Sequence, residues 1–504
     1  IMIAKLKNFL NSYFKTLKSL IFVLTKPKKI NLDYRKNTNI SEEYSKPDIW
    51  YFNSSSHLDY LSLYQLAGIE TIKILKEHGY TCINLLCAGG PGYCQVGSSS
   101  KNPFAPPPCL SCYSFNSELY DSQTIKFKKK NDFMEFEIEK KILENIIEPS
   151  LVWLLRDSDN KTTRAMLKQQ LILASKNWLS FLNSIEKSML PKLIILFNGI
   201  SFPESIIKYF MKENNIKIIT FESAILENSI IFSNKSAPKL DFNFKKEHLL
   251  NENEKNLINQ YLTKRIKGDF KRGSVDYWNE IKELNVKETK KINQFNKVVT
   301  VFLNVPFDTS QIGISSIFSN MYEWIDEVIE FAKSNTNICF IFRSHPDEIR
   351  KDKKISQKTS DYIDKKTKNV NNVLIVPGKS QLSSYELIDI SHLTLVFNST
   401  IAIESFLLKT NVVTAAEAHY SQLPQFEIPN SKEEYFKKIS YLLVNNNFVG
   451  ENDYEIVLSY FYQMVFESSV DFSCIAEKNN EKKYGFYRNP NPEKQEYKLL
   501  EKNI

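Results

Sequence analysis

The strongest constraint on the fold of this chain is an alternation of short apolar runs and helical segments that occurs twice along it. In the first half, apolar runs at residues 49–52, 81–86, 193–197 and 216–220 have the length of buried strands. Segments with helical spacing separate them, and a helix between successive strands is the pattern of parallel pairing. Residues 46–235 are therefore predicted to form one parallel sheet with helices on its faces.

A second alternation of the same kind begins at residue 298. Its predicted strands are residues 298–303, 338–342, 373–376, 394–397 and 412–414. A length of 504 residues allows two such α/β domains. The predicted fold class is α/β, with two Rossmann-like parallel-sheet domains that face a cleft, the second of them formed by residues 298–435.

The remaining segments differ from these domains in composition. Residues 236–297 are charge-dense and helical in pattern, which predicts a helical connector. Residues 436–504 are predicted to form C-terminal helices followed by a polar tail. Residues 1–45 contain a lysine-rich amphipathic helix, which either packs on the protein or rests on an anionic membrane surface. Neither a spanning segment nor a signal peptide is recognised, so the expected location is the cytoplasm, with optional contact to the inner face of the membrane.

Polar residues follow two strands of the second predicted sheet, where ligands bind in domains of this kind. One loop contains Arg343 and His345, and the other contains Ser399 and Thr400 and leads into a helix with Glu404. Hydroxyls and backbone N–H groups at a helix start suit a phosphate or diphosphate, and the two basic side chains can neutralise it. Glu404 suits ribose hydroxyls. The alternative is that Ser399 and Thr400 only cap the helix and that Glu404 only complements its dipole.

At these residues the chain resembles the capsule polysaccharide biosynthesis glycosyltransferases, whose nucleotide half is related to Kdo, sialyl and glycerophosphate-polymer transferases with His-Pro and Ser-Ser/Thr motifs. The resemblance covers residues 298–435 and departs from the family at two points. Ala402 stands where a glycine is usual, and Lys409-Thr410-Asn411 stands for Gly-x-Pro. The segments that carry the resemblance are Asn304-Val305-Pro306-Phe307-Asp308, Met321-Tyr322-Glu323-Trp324, Arg343-Ser344-His345-Pro346-Asp347-Glu348, Ser384-Tyr385-Glu386-Leu387-Ile388-Asp389, Asn398-Ser399-Thr400 with Glu404, and His419-Tyr420.

The resemblance implies a GT-B fold and an inverting sugar transfer that needs no metal or other cofactor. It implies that a nucleotide-sugar is the donor and that a polysaccharide or lipid-linked glycan is the acceptor. Carried over residue by residue, the donor-binding candidates are His345, Ser399, Thr400 and Glu404, with Arg343 and Asp308 as lesser ones.

An inverting transferase needs a base that deprotonates the acceptor hydroxyl. The candidates are His57, Asp59 and Glu222, which follow predicted strands of the first domain. His57 and Asp59 can equally be residues of a helix cap. The first domain resembles the same family more loosely, through Asn198-Gly199 and Glu222, although Ser223-Ala224 replaces the Arg-Gly that would be expected next.

Four of the seven cysteines fall within a short Gly- and Pro-rich stretch: Cys87, Cys94, Cys109 and Cys112. The last two have C-x-x-C spacing, so the four are a candidate structural zinc site. A disulfide would require an oxidising compartment. The remaining alternative is a set of buried apolar thiols without a metal.

These features favour a glycosyltransferase that builds a surface polysaccharide. Two alternatives are a nucleotide-sugar epimerase of the same fold and a catalytically inactive scaffold of polysaccharide assembly. Nucleic-acid binding is not expected, because 66 basic residues nearly balance 58 acidic ones and are dispersed.

Overall fold

The computed structural model describes most of the chain outside its two ends. The described residues are 47–54, 62–119, 123–127, 135–156, 160–269, 271–272, 275–276, 282–312, 314–349, 355, 357–445, 450–472, 476–478 and 484–486.

Helices and strands alternate through the described chain, as predicted. The strands are β1 Ile49–Phe52, β2 Cys82–Cys87, β3 Gln123–Phe127, β4 Leu193–Phe197, β5 Lys217–Ser223, β6 Ser229–Ser233, β7 Lys271–Arg272, β8 Val275–Asp276, β9 Lys297–Phe302, β10 Ile338–Arg343, β11 Val373–Val376, β12 Leu393–Val396, β13 Asn411–Thr414, β14 Ser469–Asp471, β15 Ala476–Lys478 and β16 Tyr484–Phe486. The helices are α1 Leu63–Glu77, α2 Cys109–Leu119, α3 Lys140–Leu155, α4 Lys161–Asn183, α5 Glu204–Glu213, α6 Glu252–Ile266, α7 Val286–Ile292, α8 Met321–Ser334, α9 Thr359–Lys366, α10 Ser384–Asp389, α11 Ile401–Leu407, α12 Lys432–Val444 and α13 Glu451–Tyr462.

The chain divides into two compact units at Phe242 and again after Phe466, where it returns to the first unit. The first unit contains a seven-stranded sheet in the order β14-β6-β5-β4-β1-β2-β3. Strands β1 to β5 pair in parallel, whereas β6 pairs antiparallel with both β5 and β14. The five parallel strands therefore have the order 3-2-1-4-5 of a doubly wound fold.

Both faces of this first sheet are buried, as the β1 side chains illustrate. Trp50 and Phe52 point into a core cluster with α3, α4 and α5, while Ile49 and Tyr51 belong to a second cluster on the opposite face. Apolar residues at consecutive strand positions are what a sheet covered on both sides requires. Gly68 of α1 permits close packing on that second face, because a Cβ there would lie 2.1 Å from the hydroxyl oxygen of Tyr51.

The second unit contains a five-stranded sheet in the order β11-β10-β9-β12-β13, and every pairing is parallel. Numbered within the unit, this order is again 3-2-1-4-5. Val299 and Val301 of β9 pack in one core cluster with Trp324 of α8 and with Tyr435 of α12. The indole N–H of Trp324 donates to the Tyr435 hydroxyl over 2.8 Å, so the one polar group of this buried tryptophan is paired.

The predicted α/β class with two Rossmann-like sheets is confirmed, with one correction to the first sheet. It is not wholly parallel, because β6 follows β5 through a tight turn and the late segment β14 then extends the edge of β6. Residues 436–504, predicted to form helices and a polar tail, therefore also supply a strand to the first unit.

The predicted connector, residues 236–297, does not form a separate body. From Asn243 onward it belongs to the second unit. Its longest helix, α6, packs there: Tyr261 contacts Phe461 of α13 edge-on with ring centres 5.3 Å apart, and Lys255 pairs with Glu455 at 3.0 Å. For the same reason the predicted boundary at 435 does not coincide with a division, since α12 and α13 pack on the second unit.

Among the described residues, no helix combines the length and apolar character that crossing a bilayer demands. The amphipathic helix predicted within residues 1–45 lies outside the described residues.

Candidate functional site

The strand order of the second unit defines where a ligand site is expected. In a 3-2-1-4-5 sheet, the connections leave in opposite directions from the first and fourth strands, so a crevice opens at the carboxyl ends of that pair. Here the pair is β9 and β12, which are direct neighbours with Val301 beside Leu395. The loop after β9 contains Asn304 and Asp308, and the loop after β12 contains Asn398, Ser399 and Thr400.

Hydrogen bonds with His419 and Tyr420, rather than a side-chain capping bond, hold the Asn398-Ser399-Thr400 loop. Thr400 is the N-cap of the short helix α11, yet its side chain makes no capping hydrogen bond. Instead its hydroxyl lies 3.4 Å from Nε2 of His419. The Tyr420 hydroxyl donates to the Ser399 carbonyl over 2.8 Å. The side chains of Asn398, Ser399 and Thr400 are all half-buried. The alternative that Thr400 serves only as a side-chain cap therefore does not describe this loop.

No role was predicted for His419. Its hydrogen bonds with Tyr460 determine which ring nitrogen carries the proton. The single hydroxyl proton of Tyr460 is donated to the His419 carbonyl over 2.7 Å. Its oxygen can then only accept from Nδ1 of the ring, 3.1 Å away, so Nδ1 carries the proton. In the neutral imidazole, Nε2 is consequently the acceptor that faces the Thr400 hydroxyl.

His345 follows β10 and has the opposite tautomer. Its Nδ1 accepts the backbone N–H of Asp347 at 3.1 Å, so the proton of the neutral ring resides on Nε2. The loop after β11 packs closely against it, since a Cβ at Gly378 would lie 2.7 Å from the His345 carbonyl oxygen.

Arg343, the other basic residue of this loop, is only 3% exposed and hydrogen-bonds to backbone carbonyls. Its guanidinium donates to the carbonyls of Pro377, Ser380 and Leu382 at 2.9, 3.1 and 3.4 Å. Burial lowers its pKa to about 10, which still leaves it charged at neutral pH. Arg343 therefore organises the loop that follows β11.

The carboxylate of Glu404 is likewise bonded to other side chains, and only 1% of the residue is exposed. Its carboxylate pairs with Arg265 of α6 at 3.2 Å and accepts the Tyr385 hydroxyl at 2.8 Å. The Tyr261 hydroxyl approaches the other oxygen at 3.3 Å. This network joins α6 to α11.

Asp308 and Glu348 occupy different surroundings on the same edge of the sheet. Asp308 is half-buried, and its backbone N–H closes a turn to the Val305 carbonyl at 3.0 Å. Glu348 is buried and accepts the Thr359 hydroxyl at 2.6 Å. Burial raises the pKa of Glu348 to about 7, against the effect of its hydrogen bonds to Thr359.

Two carboxylates lie at the carboxyl ends of the strands in the first sheet. Glu222, at the end of β5, accepts the Tyr64 hydroxyl at 2.5 Å and the Asn198 amide at 2.9 Å. The Ser223 backbone N–H donates to it at 2.9 Å. Burial, together with the neighbouring Glu222, raises the pKa of Tyr64. Glu222 is thus half-buried, oriented from three sides and able to accept a further hydrogen bond.

A second carboxylate, Glu204, lies at the first turn of α5 and was not predicted from the sequence. It is completely buried, and its Oε1 accepts both the backbone N–H and the hydroxyl of Ser54, at 2.9 and 2.7 Å. None of the described residues donates to Oε2. Burial raises the pKa of Glu204 to about 7, and the bonds from Ser54 work against that rise. The Ser54 contact joins the segment after β1 to the first turn of α5, at the switch point between β1 and β4. The base candidates His57 and Asp59 lie outside the described residues.

No protein-family model and no curated protein matches this chain. Solved structures match it at low identity. One is Thermosulfurimonas dismutans KpsC, a beta Kdo 2,4 transferase: 10% identity over 64% of this chain and 88% of that chain, with a TM-score of 0.32. Another is UDP-GlcNAc 2-epimerase from Neisseria meningitidis bound to UDP-GlcNAc: 11% identity over 84% of this chain and 100% of that chain, with a TM-score of 0.25. A third is UDP-GlcNAc 2-epimerase from Methanocaldococcus jannaschii: 9% identity over 82% of this chain and 99% of that chain, with a TM-score of 0.26. Similarity at this level carries no conclusion about activity, which has to be argued from the residues of the chain.

Proposed function

We propose that this protein is a glycosyltransferase that binds a nucleotide-sugar at the β9–β12 switch point and transfers the sugar to a surface polysaccharide or a lipid-linked glycan. The observation that supports the proposal most strongly is the Asn398-Ser399-Thr400 loop at the carboxyl end of β12. It brings amide and hydroxyl groups to the crevice position of an all-parallel 3-2-1-4-5 sheet. Such loops in doubly wound domains bind the phosphates of nucleotides.

The proposed donor contacts follow from the hydrogen-bonding state of each group. Ser399 supplies a hydroxyl, and the proton on Nε2 of His345 supplies a donor for a phosphate oxygen. Thr400 gives its hydroxyl proton to His419 and keeps acceptor capacity for a ribose or sugar hydroxyl. Arg343 and Glu404 are proposed as positioning residues, because both are buried and bonded within the unit. The resemblance to the capsule polysaccharide transferases adds that the bound nucleotide carries a sugar.

We propose Glu222 as the base that accepts the proton of the acceptor hydroxyl. Tyr64, Asn198 and Ser223 hold its carboxylate in one orientation, which is the condition for efficient proton transfer. His57 and Asp59 remain predictions from the sequence.

Nucleotide affinity tests the donor site. Binding of UDP, CMP and GDP would be measured by calorimetry for the wild type and for His345→Ala and Ser399→Ala. Each lost hydrogen bond to a charged phosphate is worth about 1.5–3 kcal/mol, so we expect affinity for the preferred nucleotide to fall roughly 10- to 100-fold.

His392→Ala is the matched control for His345→Ala. His392 also accepts a backbone N–H through Nδ1, from Val298 at 3.2 Å, but it lies at the amino end of the same sheet. Affinity should therefore be unchanged in this variant. If His345→Ala and Ser399→Ala bind as the wild type does, the donor site is assigned wrongly.

Sugar transfer itself requires an acceptor. We expect release of free nucleotide from the donor to depend on added lipid-linked or polysaccharide acceptor. Conversion of UDP-GlcNAc without any acceptor would identify an epimerase instead. A protein that binds no nucleotide at all would be a scaffold. The predicted cytoplasmic location stays a prediction.

A further inference from the structure

The fold does not assemble the four cysteines of the predicted zinc site around one point. Cys87 ends β2, Cys94 lies in the loop that follows, and Cys109 and Cys112 lie in the first turn of α2. No three of these described sulfur atoms lie within 4.8 Å of one another, whereas the thiolates around one zinc ion stand roughly 3.8 Å apart. The geometry therefore does not support the predicted zinc site.

Tyr460, His419 and Thr400, in contrast, are assembled into a chain of hydrogen bonds. Tyr460 lies on α13, is completely buried, and stacks its ring on that of His419 with ring centres 6.1 Å apart. The Tyr460 hydroxyl lies 3.1 Å from Nδ1 of His419, and Nε2 of the same ring lies 3.4 Å from the Thr400 hydroxyl. One imidazole therefore connects a buried tyrosine of α13 to a hydroxyl of the proposed donor site.

Neighbouring residues of the second unit hold Tyr460 in place. The side-chain amide of Gln463 pairs with both backbone groups of Lys245: it accepts the N–H and donates to the carbonyl, at 2.9 Å each. Phe244 contacts the Tyr460 ring edge-on, with ring centres 5.0 Å apart. These contacts keep Tyr460 beside the His419 carbonyl, to which its hydroxyl donates over 2.7 Å.

Each proton in this chain has one acceptor. Because the Tyr460 proton goes to the His419 carbonyl, Nδ1 of the ring donates to Tyr460, and Nε2 of the neutral ring is an acceptor. Nε2 therefore accepts the hydroxyl proton of Thr400. The Thr400 oxygen keeps its lone pairs but has no second proton, so it can accept a hydrogen bond from a ligand and cannot donate one.

The adjacent hydroxyl of Ser399 is held differently. Tyr420 donates to the carbonyl of Ser399 over 2.8 Å, and this bond does not involve the Ser399 hydroxyl. That hydroxyl can rotate and give its proton to a phosphate oxygen, which only accepts. A phosphate oxygen has no proton to give to Thr400. The two adjacent hydroxyls therefore suit different groups, Ser399 a phosphate and Thr400 a hydroxyl.

We propose that His419 is a specificity-determining residue: through Thr400 it selects a hydroxyl of the nucleotide-sugar, and rejects a phosphate oxygen, at this position of the donor site. This inference rests on the proposed function, because it takes the ligand to be a nucleotide-sugar. The hydroxyl belongs either to the ribose or to the transferred sugar, since both offer the proton that Thr400 requires. His419 acts through Thr400 and is a positioning residue, and Tyr460 has the same role one bond further from the ligand.

Deoxygenated ligands test which hydroxyl Thr400 binds. Calorimetry at pH 8, where a free imidazole is neutral, would compare the preferred nucleoside diphosphate with its 2′-deoxy and 3′-deoxy forms, and the nucleotide-sugar with its deoxysugar forms. We expect one analogue to bind the wild type roughly five- to tenfold more weakly than its parent, because one hydrogen bond is lost. Weaker binding of a deoxynucleotide identifies the ribose, and weaker binding of a deoxysugar form identifies the sugar.

The same deoxy penalty, measured in variants, tests His419. His419→Asn keeps a donor near the position of Nδ1 but removes the acceptor at Nε2, so the Thr400 hydroxyl can turn its own proton towards the ligand. Tyr460→Phe keeps the stacked ring and removes the group that fixes the proton on Nδ1. We expect the deoxy penalty to fall below about twofold in both variants. Thr400→Val should abolish it as well, and adding His419→Asn to Thr400→Val should change it no further.

His248→Asn is the matched control. The His248 ring also stacks on a tyrosine of α13, Tyr462, with ring centres 6.1 Å apart, but its Nε2 pairs with Glu254 at 3.4 Å. The deoxy penalty should be unchanged in this variant. A wild type that binds nucleotide without a deoxy penalty, or a penalty that persists in His419→Asn or Tyr460→Phe, would overturn this inference and leave the proposed function standing. A wild type that binds no nucleotide would overturn both.

Discussion

The two sheets of this protein share the strand order 3-2-1-4-5 but present different side chains at the carboxyl ends of their strands. In the first unit this edge contains the carboxylates Glu204 and Glu222, each bonded to a hydroxyl. In the second unit this edge also has carboxylates, Asp308 and Glu348, but it adds the hydroxyls of Ser399 and Thr400 and two imidazoles, His345 and His419. In the proposed function the first edge accepts a proton and the second binds the nucleotide.

The contrast separates what topology provides from what side chains provide. Topology provides the same crevice position in both units, because the first and fourth strands are neighbours in each. Chemistry comes from the few residues placed there. In the second unit the carboxylate of Glu404 is buried and pairs with Arg265, so this carboxylate contributes to stability.

The largest expected effect tests whether the first edge performs proton transfer. Glu222→Gln keeps the size of the side chain and its bond to Asn198 by amide reorientation but removes the base. We expect kcat to fall about 10²- to 10⁴-fold, with nucleotide affinity changed less than about threefold. Steady-state kinetics and calorimetry would measure the two quantities. Activity within tenfold of the wild type would remove Glu222 as the base and with it the proposed division of roles.

The next effect concerns the carboxylate of the second unit. Glu404→Gln takes the charged partner from Arg265, whose side chain is 25% exposed and keeps its bond to Tyr385, so we expect a loss of about 2–4 kcal/mol of unfolding free energy. Urea unfolding would measure it. Glu455→Gln is the matched control: it breaks the more exposed pair with Lys255 and should cost less than about 1 kcal/mol. If Glu404→Gln keeps its stability but loses nucleotide affinity, Glu404 contacts the donor after all.

Glu204 gives the first unit a specific dependence of stability on pH. Its pKa is about 7 in the folded chain, against 4.5 as the ordinary value. A raised pKa means that the folded state holds the proton more tightly, so this contribution is complete below pH 4.5 and is lost as the pH rises through 7. Between pH 5 and pH 8 we expect the wild type to lose roughly 2–3 kcal/mol more than Glu204→Gln.

The control for this experiment is already within the protein. Glu348 of the second unit also has a pKa of about 7 and is present in both chains, so its contribution cancels in the comparison. Denaturation series at the two pH values would give the difference. Parallel pH profiles for wild type and variant would show that Glu204 is ionised normally in the fold.

The smallest expected effect tests the Thr400 hydroxyl. Thr400→Val keeps the shape of the side chain. It removes the hydroxyl that bonds to His419 and that is proposed to accept a hydrogen bond from the nucleotide-sugar. The loss of one such hydrogen bond is worth about 1 kcal/mol, so nucleotide affinity should fall roughly five- to tenfold. Thr263→Val, on the exposed side of α6, should leave affinity unchanged. Equal affinities in the two variants would restrict the donor site to Ser399 and His345.

Local pattern was sufficient to predict β1, β2, β4 and β5 of the first sheet and all five strands of the second, but it missed β3 and β6. Apolar runs such as residues 338–342 and 193–197 lie between helical segments, and the resulting strands begin and end close to their predicted positions. The loops after β10 and β12 were predicted for the same reason, since a loop that follows a parallel strand has to lie at its carboxyl end. What local pattern does not contain is the pairing of distant segments, so β14 joining β6 was missed.

The sequence by itself determined the residue types at each strand end, and the tertiary structure decided which of them are engaged inside the protein. Glu404 and Arg343 are polar residues in the predicted loops, yet α6 and the loop after β11 bury them. Glu204 gains its raised pKa only because folding excludes water from it, and the hydrogen bonds that Ser54 donates from 150 positions away oppose that rise. The burial of a side chain and its hydrogen-bond partners depend on contacts between residues that are far apart in the sequence. Those contacts decide whether a carboxylate or an imidazole stabilises the fold or stays available to a ligand.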